Sequence, residues 1–70
     1  MSSKNIPSIA QNIKRKRKEL GLSQDKLSKL ANVAYNTVVK IESGENPNPT
    51  IDTLRKIAKA LNLGVDDLIR

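Results

Sequence analysis

Residues 22–44 read LSQDKLSKLANVAYNTVVKIESG, and this stretch decides the fold. Its opening residues carry a helix start signal. Ser23 is placed to accept a hydrogen bond from a free backbone N–H of the following turn. Asp25 puts negative charge where the helix dipole favours it. Leu22, just before the cap, is positioned to pack on Leu27 as a hydrophobic staple. The helix that follows is expected to carry Leu27, Leu30 and Ala31 inward and to stop at Asn32, a residue type that tolerates left-handed backbone. A second apolar pattern begins at once, with Val33, Val38 and Ile41, and ends at Ser43-Gly44. So short a connection cannot reverse the chain fully, and the two helices must cross steeply. The second helix then turns Tyr35, Asn36, Thr37, Val39 and Lys40 outward.

On the N-terminal side of this pair, Ile9, Ile13 and Leu20, with Ala10 beside them, form one helical stripe. The spacing predicts a helix from Pro7 or Ser8 to Leu20, stopped by Gly21. Residues 1–7 are polar and expected to fray, which leaves 8–70 as the domain. On the C-terminal side, Glu45-Asn46-Pro47-Asn48-Pro49 is a loop, because each proline disfavours helix at the residue before it. Thr50 is expected to cap a fourth helix with Ile51, Leu54, Ile57, Ala58 and Leu61 inward and Asn62 closing it. Gly64 is a modest cap for a short fifth helix bearing Val65, Leu68 and Ile69, with Asp66 and Asp67 in its first turn. Five short helices without a strand signal predict an all-α domain.

The composition excludes several functions. The chain has 70 residues, no Cys, no His, no Trp and no Phe. No disulfide, no zinc site of the usual Cys/His kind and no His-activated nucleophile can be assembled. Neither an enzyme nor a cofactor is therefore expected. Apolar runs fall far short of the roughly 20 residues that span a bilayer, and residues 1–10 lack the apolar core of a secretory signal. A cytoplasmic location is the expectation. The net charge is +6 and lopsided, with nine cations against two acids in residues 1–40 and four against five in residues 41–70. A basic half points to an anionic partner, nucleic acid or membrane surface. Membrane is disfavoured, since the apolar stripes close one core and no helix has a Trp/Phe-rich face. The run Lys14–Lys18 points in five directions around a helix and cannot form one patch. Lys16 borders the stripe and is expected to snorkel. Arg17 lies between Ile13 and Leu20 on the apolar side, where a cation needs a partner.

The steep pair over 24–42 has the helix-turn-helix geometry. The chain resembles the Cro/repressor-type (XRE) helix-turn-helix domain, as in lambdoid phage repressors. The resemblance rests on Ile13, Arg17, Leu20-Gly21-Leu22-Ser23-Gln24, Leu27, Ala31, Val33, Val38 and Ile41-Glu42-Ser43-Gly44. It continues through Pro49-Thr50-Ile51-Asp52-Thr53-Leu54, Ile57-Ala58-Lys59-Ala60-Leu61 and Val65-Asp66-Asp67-Leu68, covering about residues 8–69. Three positions depart from the family pattern: Asn32 where Gly is usual, Ser28 where Ala is usual, and Ala34 where Ser or Thr caps the third helix. The last forgoes a cap worth roughly 1 kcal/mol.

The resemblance implies a five-helix, lambda-repressor-like DNA-binding domain whose third helix enters the major groove. Tyr35, Asn36, Thr37 and Lys40 fall on the family's base-reading positions. Asn36 suits adenine, Lys40 suits guanine, and Thr37 and Val39 offer methyls to thymine. Gln24 matches a phosphate-contacting glutamine, and Ser43, Asn46 and Asn48 match a loop that touches the backbone. Arg17 and Glu42 match an ion pair that fixes helix 3 and presents a guanidinium edge to a phosphate. The implied function is sequence-specific binding of double-stranded DNA by a bacterial or phage transcriptional repressor or regulator, associated with the nucleoid. Limited reach per domain implies a homodimer on a two-fold operator. Its surface would be helix 5 and the segment before it, with Leu63, Val65, Leu68 or Ile69 exposed, unless these close the subunit's own core. The alternative within the family is an antitoxin that binds a toxin protein and represses its own operon.

Overall fold

The computed structural model describes residues 9–46 and 48–69. The expectations placed on residues 1–8, Pro47 and Arg70 lie outside the described residues. Among the described residues five α-helices follow one another: α1 Ile9–Glu19, α2 Gln24–Ala31, α3 Tyr35–Ser43, α4 Ile51–Ala60 and α5 Val65–Ile69. No strand occurs among the described residues. None of the helices there is long and apolar enough to cross a membrane.

Local chemistry accounts for most of the boundaries. The Ser23 side chain accepts from the Lys26 N–H at 3.0 Å, and that of Thr50 from the Thr53 N–H at 3.1 Å. Ala34 provides no side-chain cap to α3. Asn32 ends α2 in left-handed backbone, φ 58°, and Gly44 ends α3 at φ 85°. Glycine is suited to the second angle because it has no Cβ to clash. Asn62 is also left-handed, as a closing residue should be. At α5 the Gly64 N–H donates to the Asp67 carboxylate at 2.9 Å, so a carboxylate in the helix reaches back to the cap.

Ile13, Leu27, Ala31, Val38, Ile41, Leu54, Ile57, Ala58, Leu61 and Leu68 form one core to which all five helices contribute. α2 packs on α3 and α4, α1 on α3 and α5, and α4 on α5. This places α3 against two supports, α1 and α2, with its remaining face open.

Three apolar residues expected inside, Leu20, Leu30 and Ile51, are exposed, and so is Ile69, for which exposure was one of the two expectations. The stripe of α1 runs past its supports at Leu20; Gly21 then turns the chain so that Leu22 packs on the core instead. In α2 the buried face is Leu27, Ser28 and Ala31, which leaves Leu30 on the outer flank, 56% exposed. Ile51 is the first residue of α4, ahead of the face that meets neighbours, and Ile69 points away from Leu68, which is fully buried. Leu68 is thus a core residue and not part of an open dimer surface. Leu63 and Val65 pack partly on the same core, so Ile69, 55% exposed, is the open apolar residue at that end.

Buried side-chain polar atoms all have hydrogen-bond partners among the described residues. Asn12, buried in α1, donates from Nδ2 to the Leu68 carbonyl at 2.7 Å and ties the first helix to the last. The buried Ser28 hydroxyl donates to the Asp25 carbonyl at 2.7 Å, so a serine sits in a close-packed position without an unmet polar atom.

Candidate nucleic-acid interface

The open face belongs to α3. Val38, Ile41 and Glu42 are its buried positions. At 3.6 residues per turn, the opposite side carries Asn36, Lys40 and Ser43 in one row, spaced four and three residues apart. Asn36 and Lys40 are exposed; Tyr35 and Thr37 flank Asn36 on opposite sides, the tyrosine 49% exposed and the threonine half-buried. Val39 is also half-buried, at the edge of the face. Among the described residues, the side chains of Tyr35, Asn36, Thr37 and Lys40 have no hydrogen bond or ion pair. Their polar groups are uncommitted; Asn36 and Lys40 face outward together, with Tyr35 and Thr37 on the two flanks.

The other side of α3 is held firmly. Arg17 Nε donates to Glu42 Oε2 at 2.7 Å and an Arg17 terminal nitrogen donates to Glu42 Oε1 at 2.9 Å, a two-bond fork. The second terminal nitrogen of Arg17 donates to the Leu22 carbonyl at 2.7 Å. Gln24 Nε2 donates to Glu42 Oε1 at 3.0 Å. Only 11% of the Arg17 side chain and 1% of that of Glu42 reach solvent. One carboxylate therefore joins α1, the start of α2 and the end of α3. Hydrogen bonding to Glu42 raises the Arg17 pKa above its ordinary value; burial opposes this and the attraction between the charges adds to it. Stability from a raised pKa is complete below the unfolded value and is lost only as pH rises through the folded one. For arginine both lie in strong alkali, so this clamp stays charged on the Arg17 side throughout the neutral range.

The clamp redistributes the expected roles. Arg17 and Glu42 are paired as the resemblance implies. All three Arg17 nitrogens bond internally, which leaves only a sliver of guanidinium for a phosphate. Gln24 is half-buried on the same carboxylate, with its amide oxygen and second amide hydrogen still available. The Gln24–Glu42 bond was not anticipated; the only signal for it in the sequence was a glutamine at the start of α2.

At the end of α3, the Ser43 hydroxyl donates to the Lys40 carbonyl at 3.0 Å and accepts from the Glu45 N–H at 3.2 Å. The Asn46 N–H also donates to the Lys40 carbonyl, at 3.0 Å. Ser43 and Asn46 thus build the turn that follows α3, with Asn46 half-buried and Asn48 exposed beyond it. The structure brings Tyr35, Asn36, Thr37 and Lys40 onto one helix, with Gln24, Ser43 and Asn46 at its margins; Asn48 is exposed in the loop that follows. No group of three or more His, Cys, Asp or Glu side chains able to hold a metal occurs among the described residues.

A short capped helix, a left-handed turn and a second helix with an uncommitted outer face define a helix-turn-helix protein. The family model described as helix-turn-helix matches residues 13–68, and the chain belongs to this XRE-type family. It is 38% identical over 61 residues to the HTH-type transcriptional regulator SinR of Bacillus subtilis, spanning 87% of this chain and 55% of SinR. The chain thus corresponds to about half the length of that relative. The structure of SinR in complex with DNA superposes with a TM-score of 0.83, covering 86% of this chain and 95% of that one. The structure of the SinR/SinI protein complex gives the same TM-score, covering 58% of that chain.

Proposed function

We propose that the chain binds double-stranded DNA sequence-specifically and acts as a transcriptional repressor or regulator, the nucleic acid being its partner. One observation carries the reading: four uncommitted side chains, Tyr35, Asn36, Thr37 and Lys40, project from a helix whose opposite side is locked by Arg17, Gln24 and Glu42. A helix held this way fits the major groove. Asn36 pairs with adenine through its amide, and Lys40 donates to guanine O6 or N7. Thr37 and Val39 meet thymine methyls, and Tyr35 lies at the edge of the contact. Gln24, Ser43, Asn46 and Asn48 approach phosphates, where backbone contacts set register without carrying sequence information. Arg17 adds the remaining edge of its guanidinium to the phosphate beside Gln24. The relative SinR, solved with DNA, supports the DNA-binding reading.

A single nine-residue α3 reads few base pairs, so useful choice requires two copies. We place them as a homodimer on a two-fold operator with half-sites one turn apart, about 34 Å. Ile69, open at the end of α5, is the apolar residue available to that contact. The working location is the cytoplasm, on the nucleoid.

The test is selection from random duplex DNA at a stated salt concentration, followed by sequencing. A two-fold motif, with affinity falling steeply as salt rises, is the expected result. Uniform salt-sensitive binding with no motif would refute sequence-specific regulation.

A further inference from the structure

A second surface lies away from the outer face of α3. The C-terminal end of α2 and the C-terminal half of α4 enclose an open groove of about 440 Å³, lined by Leu30, Ala31, Asn32, Lys56, Lys59 and Ala60. Leu30 is the most exposed of the large apolar side chains described, and the fold gives it no role in the core. Cations flank it. Lys59 has no acidic partner among the described residues, and Lys56 is held only loosely by Asp52, at 3.5 Å on an exposed surface. Lys26, one turn before Leu30 on α2, is likewise without an ion pair there. An apolar floor bordered by the unpaired Lys59 and the loosely paired Lys56 is complementary to a segment carrying the opposite charges around an apolar anchor.

We propose that the α2–α4 groove docks an acidic amphipathic segment of a second protein. A Leu, Met or Phe side chain would rest on Leu30, Ala31 and Ala60, with carboxylates on Lys56 and Lys59, in the helix-in-groove manner. The inference is independent of the DNA reading, since none of these residues belongs to the face assigned to DNA. Charge selects the occupant. Residues 1–8 of this chain contain one lysine and no acid, and offer nothing to the lysines. A second copy would present Asp66 and Asp67 beside Ile69, but that end is taken by the two-fold contact proposed above, and each copy carries a net charge of +6. A foreign acidic segment is drawn by that same charge. Leu30 at the centre favours protein over a nucleic-acid backbone, which has no apolar anchor to give.

The test uses the full 70-residue chain and short fluorescent peptides in which one Leu, Met or Phe is flanked at helical spacing by Asp and Glu. A charge-reversed set with Lys and Arg is the control. Acidic peptides are expected to bind, the reversed set not to bind, and amide NMR shifts to concentrate on residues 30–32 and 56–60. Leu30→Ser combined with Lys59→Glu should weaken binding by about tenfold, the scale of losing an exposed anchor and reversing an exposed charge. Thermal melts check that each variant folds. Lys14→Glu, which makes the same charge change on exposed α1, should have a much smaller effect on peptide binding. Four results would each overturn the proposal. They are the absence of peptide binding, shifts centred on α3, equal losses from Lys14→Glu and Lys59→Glu, and self-association abolished by Lys59→Glu. A fall in DNA affinity from Lys59→Glu well beyond that from Lys14→Glu would assign the groove to the DNA footprint instead.

Discussion

The two ends of α3 are built differently. Its C-terminal end is closed by Glu42 in the fork with Arg17, by the Gln24 amide, by left-handed Gly44 and by the Asn46 N–H on the Lys40 carbonyl. Its N-terminal end has Ala34 with no side-chain cap, then Tyr35 and Asn36 in solvent. A helix start leaves backbone N–H groups unsatisfied unless a side chain or ligand meets them. The protein thus fixes where α3 sits from one end and leaves the reading end to be completed by what it binds. Such a division suits a domain that must place a helix accurately yet settle against base edges.

The largest effect should come from breaking the closed end. Glu42→Ala leaves the Arg17 charge buried without its partner, for which about 3–5 kcal/mol of destabilisation is expected. Urea unfolding measures it. Arg17→Met with Glu42→Met removes both charges and should lie much nearer the parent, because a buried pair replaced by apolar residues of similar size is often close to neutral. A coupling energy near zero in that cycle would remove the clamp from the account. It would also mean that α3 is held by Val38 and Ile41 alone.

At the open end the effect should appear in binding and not in stability. Asn36 is exposed and makes no side-chain hydrogen bond among the described residues, so Asn36→Ala should leave unfolding within about 0.5 kcal/mol of the parent. Its affinity for the selected operator should fall by about 1–3 kcal/mol, with choice relaxed at one base pair. A titration on the operator and on single-base variants separates these outcomes. If all variants lose affinity equally, Asn36 touches the backbone and the reading end lies elsewhere on α3.

The closed end was harder to read in the sequence than the helices themselves. Ser23, Thr50, Asn32 and Gly44 act on their own turns, so their roles follow from local chemistry. Arg17 announced a need for a partner by its place on an apolar stripe, but the partner's identity came from family resemblance. The Gln24–Glu42 bond joins residues remote in the chain, and the Asn12 bond goes to a backbone carbonyl of α5, which has no sequence signature. Periodicity identified the inward faces but not how far each face is covered. Leu20, Ile51 and Ile69 sit at helix ends where the neighbouring helices stop. Leu30 is outside for another reason: Ser28, with its hydroxyl returned to the Asp25 carbonyl, occupies the buried flank of α2. On α3 the exposed face was legible because a helix with Val38 and Ile41 inward has only one other side to show.

The smallest effect tests whether the open end is open for want of a cap alone. Ala34 has φ −65° and ψ 144°, close to the φ −77° and ψ 166° of Ser23, whose side chain does cap α2. Serine therefore fits at position 34 without moving the backbone. Ala34→Ser should stabilise the chain by about 1 kcal/mol, and Ser23→Ala should destabilise it by a similar amount. Thermal melts of the two variants should move in opposite directions. If α3 frays at Tyr35 in the free protein, the added cap also removes part of the ordering cost of binding, and operator affinity rises with stability. If affinity falls while stability rises, the first turn of α3 adjusts on DNA in a way the cap prevents. No change in either quantity would mean that the free N–H groups at this end are already satisfied by water as well as a serine could satisfy them. The contrast between the two ends of α3 would then rest on the Arg17–Glu42 clamp alone.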